Sequence, residues 1–382
     1  MCDSIVPCYS LAKPQKYREL SVLLLDCWQR EYDQRPYRNF VFERLCFEER
    51  MQRLYDPVRD LGTIIEFINL RSQLLSVKIV GLQLLASEFE LIEKIVESLN
   101  TIKCIKLKLM NLPSGFFEML AKNVDCMHVE ELVLEGTPLD DCAIEWLRHI
   151  IINSNTLQHL HIGYCSVTQY NFANLADGVH KSKTLKTFIC NRLLGATLSL
   201  DSQKIALLIS SLIWQNKLQS IEMEMCEMNS DDMEIIAEYL YNIESKLSKL
   251  NVAFNKIGPD GAEHLLKAIS FSGNLKHLNM SGCGLGTHGG EIVSKYLSSG
   301  ISLEVLFIEN NNIGPEAVSM ILLTMKKPLP LEKLHLWDNK YNPRTGNILR
   351  RLIEAKVVWQ ECLDITYTYD DTIPGWRVIP WR

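Results

Sequence analysis

The 382-residue chain is 47% hydrophobic and 23% charged, with a formal net charge of −6. That balance is ordinary for a folded protein. It excludes global attraction to nucleic acid, which leans on clustered Lys and Arg. No run of about 20 apolar residues suggests a membrane span. The start, Met1-Cys-Asp-Ser-Ile-Val-Pro7, lacks the basic flank and apolar core of a secretory leader. The twelve cysteines are therefore expected as reduced thiols in cytosol or nucleus.

Residues 1–73 carry no repeat. Residues 17–32 and 40–55 read as helices around a turn-like Asp33-Gln-Arg-Pro-Tyr-Arg38, and Asp60-Leu-Gly62 leads into Ile64, Ile65, Phe67 and Ile68. This segment is expected to be mainly a helical N-terminal cap, because the end coil of a stacked array otherwise exposes its core. Val77, Val80 and Leu82 begin an irregular first repeat.

A register Leu-x-x-Leu-x-Leu-x-x-(Asn/Cys)-x-Leu then recurs through residues 74–356. Clear copies are Leu247-x-x-Leu250-x-Val252-x-x-Asn255-x-Ile257 and Leu275-x-x-Leu278-x-Met280-x-x-Cys283-x-Leu285. Further copies start at Leu303 and Leu331, and the register runs backwards through Leu218, Leu185, Leu157, Val129 and Ile102. Alternating apolar residues predict a short strand with its inward side chains in a core. Asn255, Asn311 and Asn339 stand where the chain leaves the strand, suited to bonding backbone carbonyls of neighbouring coils. Cys165, Cys226 and Cys283 do this more weakly or fill space.

Each strand is followed by a helical half. Ala262, Leu265, Leu266 and Ile269 form one helical stripe, with Pro259 and Asp260 suited to its opening turn. Ser230-Asp231-Asp232 opens another helix, carrying Ile235, Ile236 and Leu240. A strand and a long helix in about 28 residues require the longer class of repeat. The unit at Leu185 departs: Leu193 replaces Asn or Cys, and residues 191–200 read as a longer loop, either a tolerated insertion or a partner contact.

Residues 344–355 read as the last helix, and 357–382 as an aromatic-rich tail whose segment Cys362–Asp370 is extended. Trp359, Tyr367, Trp376 and Trp381 either cover the open end of the stack or anchor a partner.

Catalytic signatures are missing. There is no Gly-x-x-x-x-Gly-Lys-(Ser/Thr) phosphate loop, Gly-x-Ser-x-Gly elbow, His-Glu-x-x-His or paired Cys-x-x-Cys set. Gly284-x-Gly286-x-x-Gly289 matches a dinucleotide fingerprint only as a string, in a turn where small residues are expected anyway. His159 and His161 share a strand face, but His277 and His335 belong to distant coils, so the four imidazoles share no ion. No enzyme activity, cofactor or metal is expected.

Counted from each first position, residues at +2, +4, +6 and +7 point to the concave strand face. These are His159, His161 and Tyr164, then Glu222 and Glu224, then Phe254, Phe307, Glu309, His335, Trp337 and Asp338. Exposed aromatic residues in such a row mark an interface, and the acidic members favour a basic contact surface on a protein partner. The alternative is an ordinary solvent-facing strand row. The protein is expected as a monomer on its own.

The repeat resembles the ribonuclease-inhibitor-like leucine-rich-repeat superfamily. That resemblance implies an α/β solenoid, a horseshoe with parallel strands on the concave face and helices on the convex face. It also implies a non-catalytic binding scaffold or adaptor. Residues 184–194, 334–340 with 352–355, and 364–370 are similar to a narrower group within it, implying a nuclear, nucleolar or cytoplasmic adaptor of germ cells or cilia. Two other classes stay open: a structural subunit of an axonemal or cytoskeletal assembly, and an activator of a small GTPase.

Overall fold

The computed structural model describes residues 39–43, 74–81, 83–87, 89–192, 202–214, 217–370 and 374–381, with single positions between 62 and 69. The remainder of the expected cap and the 193–200 part of the long loop lie outside the described residues. The chain divides into two compact units, Met1–Gln158 and His159–Arg382.

The first unit contains β1 (Asn39–Glu43), β2 (Ser76–Val80), α1 (Phe89–Ser98), β3 (Cys104–Lys108), α2 (Ser114–Lys122), β4 (Glu131–Val133) and α3 (Asp141–Asn153). Its strands pair in parallel in chain order. Residues 40–43 were expected to be helical and are instead strand, which suits the β-branched and aromatic Phe-Val-Phe core of β1. The first repeat is also more regular than expected. Val77 and Ile79, not Val80, are the fully buried residues of β2, and they pair with Ile105 and Leu107. The register therefore extends one coil upstream, to Leu74.

The helices follow from apolar spacing. In α3, Ala143, Ile144, Leu147, Ile150 and Ile151 form the buried stripe. Asp140 starts this helix by accepting a bond from the Ala143 amide at 2.7 Å.

The second unit holds β5 (His159–His161), α4 (Gln169–Lys181), β6 (Thr187–Ile189), α5 (Ser202–Trp214), β7 (Ser220–Glu222), α6 (Ser230–Leu240) and β8 (Lys249–Asn251). It continues with α7 (Gly258–Ser272), β9 (His277–Asn279), α8 (Gly286–Ser298), β10 (Val305–Phe307), α9 (Pro315–Thr324), β11 (Lys333–His335) and α10 (Pro343–Glu354). A hairpin of β12 (Ile365–Asp370) and β13 (Gly375–Pro380) ends it. Strands β5 to β11 pair in parallel in chain order. Equivalent repeat positions meet, as Leu250 with Leu278 and Leu306 with Leu334. Both units are thus built as an α/β leucine-rich-repeat solenoid. The cap of α6 falls one residue before Ser230, where Asn229 and Asp232 form a reciprocal capping box.

Two devices turn the coils out of their strands, the first of them in most coils and not all. The first is the ninth-position side chain. Asn311 is 1% exposed; its Oδ1 accepts from the Cys283 and Leu285 amides, and its Nδ2 donates to the Met280 and Glu309 carbonyls. Asn255 and Asn339 repeat the pattern. Cys226 and Cys283 donate to the carbonyls of Cys190 and Val252, one coil back. In the first unit Thr137 serves, donating to the Leu107 carbonyl and accepting from the Met110 amide.

The second device is conformational. The residue at +7 has positive φ in each coil whose turn is described: Gly81, Leu109 and Gly136 in the first unit, then Tyr164, Arg192, Met225, Phe254, Gly282, Asn310 and Asp338 in the second. Most are not glycine, so this regularity was hidden in the sequence.

The end of the second unit imitates one more coil. Leu363 forms a parallel bridge with Leu334, and Leu363 and Ile365 are buried. Inner coils use the next coil's carbonyl to accept the +5 amide, as Phe307 does for Met280 and His335 for Ile308. In the last coil the Asp364 carboxylate accepts from the Leu336 and Trp337 amides instead, at 2.7 and 2.9 Å. The hairpin packs on α10, where Gly346 lets the Trp376 backbone approach and Arg350 lies over the Trp376 ring at 4.7 Å. Trp376 and Tyr367 cover this end, whereas Trp359 and Trp381 remain exposed.

Asn311→Ala should destabilise the protein by about 3 kcal/mol, because it orphans several buried backbone groups. Urea unfolding checks this, and a loss below about 0.5 kcal/mol, the range of neutral surface changes, would contradict it. Cys165, Cys190, Cys226 and Cys283 are buried while Cys126 and Cys142 are exposed. Burial also pushes the Cys283 thiol up to about 12. A disulfide-exchange reagent should therefore label Cys126 and Cys142 quickly and the four buried thiols only on unfolding.

Candidate functional site: the strand face of the second unit

All eleven residues singled out on the strand face lie in the second unit, on its strands or in the turns that follow them. The structure separates them into two groups. The turn row brings together Tyr164, with Arg192 and Met225 that sequence reasoning missed. The Arg192 guanidinium lies 5.8 Å from the Tyr164 ring centroid, and the Tyr164 hydroxyl is 3.7 Å from the Met225 sulfur. Phe254 follows, its ring lying over Gly282 of the next coil, where an added Cβ would collide with it. Tyr164 is 37% exposed and Phe254 45% exposed. His159 is exposed and His161 half-buried beside this row. The signal for Arg192 and Met225 was available: they occupy the same +7 position.

The second group lies on the last coils. Phe307 is only part-exposed, because its ring packs against His335 with centroids 4.3 Å apart. Trp337, 38% exposed, stacks with Tyr341 at 6.5 Å. His335 Nδ1 lies 3.2 Å from Glu309 Oε1, and Ser281 donates to Glu309 Oε2 at 3.4 Å. Asp364 completes this cluster, and one donor atom from each of Glu309, His335 and Asp364 falls within 4.8 Å of the others. The His335 hydrogen bond holds the Glu309 carboxyl below its usual range. Burial pushes the Asp364 carboxyl up, against the pull of its two amide donors. Asp364 was missed because it lies beyond the last full repeat.

The acidic members are less available than their count implied. Glu222 pairs with Lys249 at 2.9 Å, Glu224 accepts from the Asn251 side chain at 2.5 Å, and Glu309 is engaged with His335. Asp338 is exposed, in a left-handed turn position. The histidines lie on separate strands, β5, β9 and β11, of the ordered sheet, as the sequence spacing required.

Further surface features lie outside the predicted row. In the first unit, Lys103, Lys106 and Lys108 pair with Glu130, Glu131 and Glu135 of the next coil; pairs within reach of solvent, as these are, each contribute little. On the helical side of the second unit, Trp214 packs edge-on against Tyr239, and Tyr241 against Phe271.

Gly282 and Gly284 both have positive φ, but only Gly282 faces the Phe254 ring; Gly284 faces open space. Each Gly→Ala change should cost about 1–2 kcal/mol of left-handed strain, and Gly282→Ala should cost measurably more. Thermal denaturation reads the difference, which should shrink in a Phe254→Gly background. Equal costs would show that the ring does not rest on the glycine.

Comparison with known proteins agrees with this coil geometry. Residues 245–266 and 272–291 match the family model described as Leucine Rich repeat. No curated protein matches the chain. A crystal structure of a protein from Bacteroides fragilis is similar at 13% identity, over 63% of this chain and 67% of that one, with a TM-score of 0.35. That likeness is too slight to carry an argument. The matched repeats and the strand-and-helix coils, with their asparagine ladder, agree on the fold: an α/β solenoid of leucine-rich-repeat type.

Proposed function

We propose that the second unit is a non-catalytic protein-binding scaffold or adaptor that receives its partner on the strand face. The observation that carries this reading is the set of large apolar side chains kept at left-handed, exposed positions. Tyr164 and Phe254 have φ of 62° and 57°, where glycine or asparagine is the cheaper choice. Equivalent coils do use Gly282 and Asn310 there. An aromatic residue at such a position costs strain and leaves apolar surface in water, so recognition is the natural reason for its presence.

The partner is read as a protein with aromatic-binding hollows and some basic character opposite Asp338. Charge attraction is secondary, since Glu222, Glu224 and Glu309 are already engaged. The eight described cysteines are free thiols, which supports a reducing compartment such as cytosol or nucleus. No helix among the described residues is long and apolar enough to cross a membrane. Nothing among the described residues favours an axonemal subunit or a GTPase activator over an adaptor.

Phe254→Gly combined with Trp337→Ala tests this, because neither side chain fills the core. Proteins co-purifying with the wild-type chain from its native tissue should be lost or strongly depleted with the double variant. The melting temperature should stay within a few degrees, as strain relief at Phe254 offsets the added freedom of glycine. An unchanged set of co-purifying proteins would contradict the proposal.

A further inference from the structure

We propose that Glu309, His335 and Asp364 form a binding site for a divalent transition-metal ion of the zinc type. The three residues come from consecutive coils: Glu309 follows β10, His335 ends β11, and Asp364 lies in the segment bridged to β11. Each offers one donor atom, and all three donors lie within 4.8 Å of one another. The 3.2 Å between His335 Nδ1 and Glu309 Oε1 is close to the ligand-to-ligand edge, about 3.3 Å, of a tetrahedron with zinc distances of about 2.0–2.1 Å. The Asp364 oxygen lies within 4.8 Å of both.

The donors are held as ligands usually are. Both Asp364 oxygens are fixed by backbone amides, the His335 ring rests on Phe307, and Ser281 steadies Glu309. Such outer partners orient metal ligands. All three residues are part-exposed, so an ion can enter. The imidazole distinguishes this cluster from an acidic patch, and one nitrogen with two carboxylates suits zinc better than the all-oxygen preference of calcium or magnesium. The ion neutralises two neighbouring carboxylates. It also ties the segment leading into the β12–β13 hairpin to the last two coils, leaving one coordination position for water or a partner side chain.

The test uses the full chain, stripped with a chelator and kept reduced, titrated calorimetrically with zinc chloride. We expect one saturable equivalent and a rise in melting temperature of several degrees. His335→Gln and Glu309→Gln should each weaken binding by about 100-fold, at least what loss of an outer-shell partner costs. Both variants avoid Asp364, whose bonds the fold needs, and their metal-free circular dichroism checks that they fold. Cobalt substituted for zinc should give a spectrum without a thiolate charge-transfer band. Zinc binding unchanged in both variants, a thiolate band, equal stabilisation by magnesium, or no saturable binding would each overturn the proposal.

Discussion

Every coil of this protein must leave its strand without abandoning backbone hydrogen-bonding groups in a dry interior. A buried, unpaired amide or carbonyl costs about 1–3 kcal/mol, and a stack of coils multiplies that debt. The structure meets the constraint with a side chain that bridges coils and a backbone that turns through the left-handed region. Asn311 satisfies two amides and two carbonyls at once. The +7 residue then reaches across with its own amide, as Phe254 does to the Ser281 carbonyl and Asn310 to that of Trp337. Strand pairing, helix stacking and the exposed turn row all follow from that bend.

The same constraint explains the end of the second unit. A last coil has no neighbour to accept its amides, and Asp364 supplies a carboxylate where a backbone carbonyl would otherwise stand. Tyr341 donates its hydroxyl to the Leu336 carbonyl at 2.5 Å, completing the seal from the other side. Burial holds that phenol above its ordinary range, so it remains a donor. Asp364 therefore belongs both to the fold and to the cluster on the strand face. Its neighbours Glu309 and His335 are free of core duties, which leaves their chemistry available for recognition or ligation.

Much of this was legible in the sequence because a stacked repeat writes its spacing into the chain. Leu250, Leu278, Leu306 and Leu334 stand 28 residues apart, and that constant spacing predicts which residues meet across strands. The helices were legible through apolar stripes such as that of Leu265, Leu266 and Ile269. Illegible features were those set by conformation rather than composition. Leu109, Arg192 and Met225 do not advertise a left-handed turn, and Thr137 does not look like an asparagine substitute. Nor does Gln360-x-x-Leu363-x-Ile365 look like a repeat, since its helix is replaced by a hairpin. On the site, periodicity gave the facing residues but not their partners, so the engagement of Glu222 by Lys249 emerged only in three dimensions.

Hydrogen exchange of individual amides tests the bend most directly. The amides of Cys226, Met228, Cys283, Leu285, Asn311 and Ile313, all accepted by asparagine side chains one coil ahead, should rank among the slowest in the second unit. They should exchange only with its global opening. Exchange at the rate of surface-loop amides would mean that the ladder does not hold the coils together.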